Sequence, residues 1–65
     1  MEFSIDSEDS FSISETYYLR GISLENLNLR IEATDSFSLA IDHAAKSGNE
    51  SIVALAFLKI SELQS

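Results

Sequence analysis

FSIDSEDSFSISETYYLRGISLENLNLRIEA (residues 3–33) keeps most of its apolar side chains at odd positions: Phe3, Ile5, Phe11, Ile13, Tyr17, Leu19, Leu27, Leu29 and Ile31. Serines and charged residues fill most of the positions between them. Alternation with period two is the pattern of a strand with one buried and one wet face. It predicts three short strands, over about 2–6, 10–19 and 26–33. The polar turn Ser7-Glu8-Asp9-Ser10 separates the first two. Gly21, able to take a positive φ, opens the loop before the third. Short connections favour an antiparallel meander.

The second strand is too long for its cover. Ten extended residues span about 33 Å, whereas a 12-residue helix covers about 18 Å. A bulge or bend is therefore expected near Glu15, the charge that interrupts the inner face of Phe11, Ile13, Tyr17 and Leu19.

After Thr34 the pattern changes to helical spacing. Asp35 is a natural N-cap for a helix over about 35–47, with Phe37, Ala40, Ile41, Ala44 and Ala45 on one side. Lys46 in the last turn complements the helix dipole, and Gly48 follows as the residue that ends the helix. Asn49 can cap a second helix over about 50–63. The run Ile52–Leu58 is apolar on every side, which also suits a fourth, central strand; alanine and leucine favour the helix.

His43-Ala44-Ala45-Lys46-Ser47-Gly48, followed by Ile52-Val53 and Leu55, resembles the helix–turn–helix core of an ankyrin repeat. That motif places Ala-Ala ahead of a glycine with two residues between them, and starts an aliphatic run four positions after the glycine. The resemblance covers about 35–60. Leu39-Ala40-Ile41-Asp42 stands where the repeat opens with Thr-Pro-Leu-His, and there is one copy. A single helical hairpin is implied, because solenoids need about three repeats. The fold class expected for the whole chain is α+β: a three-stranded antiparallel N-terminal sheet packed on a C-terminal helical hairpin.

At 65 residues the chain is expected to form one domain. A fold of this size buries only about 60% of its unfolded surface and is marginal unless stapled or partnered. Cysteine is absent, which removes disulfides and thiolate zinc sites. The hydrophobic share of 45% belongs to a globular chain. MEFSIDSEDS has neither the basic region nor the apolar core of a signal peptide. Ile52–Leu58 is far short of the roughly 20 residues of a membrane span. A soluble, cytoplasmic protein is the expectation.

Eleven acidic residues against four basic ones give a net charge of −7. Such a surface repels nucleic acid and anionic lipid and attracts a basic protein surface. The acids are unevenly placed: Glu2, Asp6, Glu8, Asp9 and Glu15 face only Arg20 among the first twenty residues. With Tyr18, expected on the outer face of the second strand, they form the candidate partner-binding set.

Little else carries chemistry. His43 is the only histidine, and its sequence neighbours Ser36 and Asp42 do not make a triad without tertiary geometry. The Asp6/Glu8/Asp9 turn lacks the EF-hand pattern, and no glycine-rich phosphate loop is present. Asp35-Ser36-Phe37 is similar to the Asp-Ser-Leu of acyl-carrier proteins, but strands before it do not suit their helical bundle. No enzyme, cofactor or metal is expected.

In size and charge the chain is similar to nuclease-immunity proteins, antitoxins and phage-encoded inhibitors of restriction or CRISPR systems. That likeness implies an antagonist docked on a basic surface of a protein partner. The alternative is a small assembly subunit that homodimerises through its apolar C-terminal helix.

Overall fold

Three helices follow one another along the chain: α1 (Ile5–Asn26), α2 (Arg30–Ser47) and α3 (Glu50–Gln64). The computed structural model describes residues 5–64, with side chains over 11–64. No strand occurs among the described residues. The expected N-terminal sheet is replaced by a helical bundle, and the alternative fourth strand by α3. Of the strand expected over 2–6, residues 2–4 lie outside the described residues.

The physical reason lies in which residues of α1 are small. Residues two apart on a helix point about 200° apart, so the odd-numbered stripe is split between its two sides. Phe11, Ile13 and Leu19 are exposed at 44%, 37% and 64%. Ser14 and Gly21 are buried instead, with Tyr17, Tyr18, Ile22 and Leu24 partly covered beside them. This seam of three- and four-residue steps meets α2, and it is built from small residues that let two helices approach closely. Gly21 therefore sits inside α1, not in a turn. A Cβ built on it would lie 2.6–2.8 Å from three carbons of the Phe37 ring. Glu15 marks no bulge and is an exposed helical residue.

α2 is the central element, packing along both α1 and α3, while those two touch each other little. Its inner stripe is Ala33, Phe37, Ala40 and Ala44, each with no exposed surface. α3 contributes Ile52 and Ala56, flanked by Val53, Ile60 and Leu63. Among the described residues Phe37 is the only large apolar side chain buried completely, so the core is narrow, and four of its six described residues are alanine. α2 begins five residues before the expected cap Asp35, at Arg30, with Leu29 in the N-cap position and no side-chain cap.

Both inter-helix turns end the preceding helix with a left-handed residue. Asn28 takes φ 65°, and the Leu29 N–H donates to the Leu24 carbonyl at 2.9 Å. Gly48 takes φ 78°, and the Asn49 N–H donates to the Ala44 carbonyl at 2.8 Å. This six-to-one bond is the Schellman closure, whose residue after the left-handed one is often apolar. Leu29 is thus placed by the end of α1 before it serves as the start of α2.

A polar link fastens α1 to the α2–α3 turn. The buried Asn49 Nδ2 donates to Ser14 Oγ at 3.4 Å, and that hydroxyl donates to the Phe11 carbonyl at 2.6 Å. Ser14 is therefore level with the end of the α2–α3 hairpin. The nine residues of α1 before it continue about 13 Å farther along the helix. At the other end, Lys59 of α3 reaches Glu25 of α1 at 3.5 Å.

Candidate functional site

α3 is apolar on every side but buries only one. Ile52 and Ala56 face α2, with Val53, Ile60 and Leu63 partly covered. Away from α2, Leu58 is exposed at 58% with Ala54 beside it, and Leu55 and Phe57, exposed at 43% and 60%, lie on the two flanks. These positions fall outside the arc that meets α2 because α2 spans less than half the circumference of its neighbour. Single exposed apolar residues are ordinary, whereas a helix that leaves several in solvent is a candidate interaction surface.

The charges around this stripe are arranged in one sense. From Ser51 to Ser61 the only charged residue is Lys59. It is partly covered and bridges Glu25 at 3.5 Å and Glu62 at 4.0 Å. The exposed Glu50 precedes the stripe and Glu62 follows it. Glu50 also lies in the first turn of α3, where a carboxylate complements the helix dipole. The result is an apolar middle with an acid at each end, the layout of an apolar interface core inside a polar rim.

The residues singled out from the sequence are distributed differently. Glu2 lies outside the described residues. Asp6, Glu8 and Asp9 belong to the first turns of α1, and their side chains lie outside the described set. Glu15 is exposed on the same helix. Tyr18 is not on a wet sheet face: it is half-buried, its ring 5.7 Å from that of Phe37 at 54°. Glu15 and Tyr18, three residues apart, are neighbours on α1, with Tyr18 at the edge of the seam and Glu15 beside it in solvent. The apolar run Ile52–Leu58 was the one signal in the sequence for the α3 surface. Which of its members face outward depends on where α2 packs.

The residues around the only histidine do not assemble. His43 stacks on Tyr17 at 5.6 Å and 13°, and its buried Nδ1 has no hydrogen-bond partner. Asp42 pairs with Lys46 at 3.6 Å. Ser36 lies seven residues from His43, about 10 Å along the helix. Ser36 is also buried, at 6% exposure. With a helical N-terminal half, strands no longer separate this chain from an acyl carrier. The burial of Ser36 does, since a carrier serine must be open to modification. Among the described residues no group of three His, Cys, Asp or Glu is placed to hold a metal ion. None of the described helices is long and apolar enough to cross a membrane.

Compared with known proteins, the chain matches no family, no curated protein and no solved structure at a significant level.

Proposed function

We propose that the protein is a non-enzymatic binding module that covers a basic, nucleic-acid-binding surface of a partner protein and so antagonises it. Restriction and CRISPR inhibitors, antitoxins and immunity proteins work by this kind of competition. The observation that carries the reading is the outward side of α3, where Leu55, Phe57 and Leu58 stay exposed with acids at either end. Contact is made there. The net charge of −7, including Glu2, Asp6, Glu8, Asp9 and Glu15 on the N-terminal segment, supplies the long-range attraction to a basic partner. Carboxylates then occupy positions where lysines and arginines of the partner would hold phosphates.

The test pairs a surface variant with a salt titration. Tagged wild type and Leu55→Ser/Leu58→Ser are used to capture partners from the native host. Any protein captured is then purified and titrated against both. A partner lost by the variant, and bound at least tenfold more weakly on raising salt from 0.05 to 0.5 M, supports the reading. A partner that binds both forms equally removes α3 from the interface. Self-association through the same stripe is the alternative, and salt separates the two. Screening weakens attraction to a basic partner but strengthens a dimer of two chains that each carry −7.

A further inference from the structure

Only Gly48 and Asn49 separate α2 from α3. The helix is interrupted by the φ of 78° at Gly48, and a Cβ there would meet nothing within 4 Å. With helical angles at both positions, Arg30 to Gln64 becomes one straight helix about 52 Å long. Its buried sides then fall in line. Thr34 and Ile41 stand opposite His43, which stacks on Tyr17 of α1. At 100° per residue they share an arc of about 60° with Ile52, Ala56 and Leu63. Thr34 and Leu63 already line one cleft in the hairpin, and Ile52 and Ala56 are the buried residues of α3. The surfaces that close the hairpin therefore form a continuous stripe through the turn. α1 adds a second observation. It runs about 13 Å past the turn, and Phe11, one turn beyond Ser14, is exposed at 44%. Contact of Gly21 with Phe37 sets an antiparallel register that brings Phe11 near Ser47, the last residue of α2. A straightened helix continues alongside the remainder of α1.

We propose that two copies of this chain exchange α3: the turn straightens at Gly48, and each α3 takes the place of the other chain's α3 on α2. A second copy is the occupant because the groove is shaped to α3 itself, and the apolar contacts across it are remade between chains. Short connections favour such exchange, and a twofold axis closes the dimer. Lys59 keeps its bridge to a Glu25, now that of the other chain. The hydrogen bond from Asn49 to Ser14, long at 3.4 Å, is given up, and the overhang of α1 gains a neighbour. Exchange uses the inward side of α3 and leaves the outward side free, so it stands apart from the function proposed above.

The test reads association and the turn together. Cysteine is absent, so Ser38→Cys/Ser61→Cys, at two exposed positions, carries a pair of spin labels in every form. Diluted into unlabelled protein, the pair reports the distance within one chain. It is less than about 20 Å in the hairpin and about 34 Å in the straight helix. Sedimentation at about 0.5 M salt, which screens the charge of −7 on each chain, gives the dimer fraction. Gly48→Ala disfavours the left-handed turn and favours the helix. The dimerisation constant should rise about thirtyfold per turn, or about a thousandfold for two, with the distance near about 34 Å. Glu50→Pro suits the first turn of α3 but bars a continuous helix, and should stay monomeric with the short distance. Should Gly48→Ala lose its helicity, wild type refolded from urea at about 1 mM takes its place, again beside Glu50→Pro. A dimer whose chains keep the short distance overturns the inference, as does a straight chain that stays monomeric. So does a Glu50→Pro form that dimerises as wild type does, or the absence of any dimer in Gly48→Ala or its refolded substitute.

Discussion

Replacing Gly21 with alanine tests how closely α1 and α2 approach. In the middle of an exposed helix this change stabilises by about 1 kcal/mol, because alanine is the better helix former. Here the new methyl would lie 2.6, 2.7 and 2.8 Å from Cε1, Cδ1 and Cζ of Phe37. Carbon atoms pack at about 3.5–4.0 Å, so the ring must retreat by about 1 Å. Phe37 is fully buried, with the Tyr18 ring 5.7 Å away, and the withdrawal strains its packing or parts the helices. Overpacking of this sort costs about 1–3 kcal/mol, and three simultaneous contacts place it near the upper end. The net expectation is destabilisation by about 1–2 kcal/mol, a fall in Tm of about 5–15 °C for a domain this small. Circular dichroism melts and urea titrations measure it. The decisive comparison repeats Gly21→Ala in a Phe37→Leu background, where most of the ring is gone. There the alanine should be neutral or stabilising, giving a coupling of about 2 kcal/mol in the double-mutant cycle. A higher Tm for Gly21→Ala in the wild type, or the same effect in both backgrounds, would refute the close approach at this point.

Gly48→Ala meets no neighbour within 4 Å but must hold φ 78°, so it should destabilise by about 1 kcal/mol through backbone strain alone. The mirror experiment, Asn28→Gly at φ 65°, should raise the melting temperature slightly. Ser14→Ala strips the buried Asn49 amide of its acceptor and should cost about 1 kcal/mol despite the better helix propensity of alanine. Since the bond is long at 3.4 Å, a Ser14/Asn49 cycle by urea titration should show coupling of only about 0.5 kcal/mol. Leu58→Ser, at a residue 58% exposed, should shift stability by less than about 0.5 kcal/mol, and a larger loss would mean that the stripe serves the fold.

The end of α2 was legible locally. Lys46 lies in its last turn, Gly48 adopts the left-handed φ, and α3 starts directly after Asn49. These features depend on residues within a few positions of one another. The N-terminal half was misread because serine is neutral between strand and helix, and because runs of four or five residues fit period two by chance. Acids crowded into Asp6, Glu8 and Asp9 suit a polar turn, but carboxylates in a first helical turn are equally a start signal.

The charge, the absence of cysteine chemistry, the position of the α2–α3 turn and an apolar run too long for a narrow core are all readable from the residues alone. Which side of α1 faces inward was set by packing between the helices. The choice follows the fit of Gly21 against Phe37 of α2 and of Ser14 against the α2–α3 turn more than the hydrophobicity of the odd positions, and such a fit exists only between elements already in contact. The same packing decided that Leu55, Phe57 and Leu58 are left outside. α2 can cover one side of α3, and α1 lies on another side of α2.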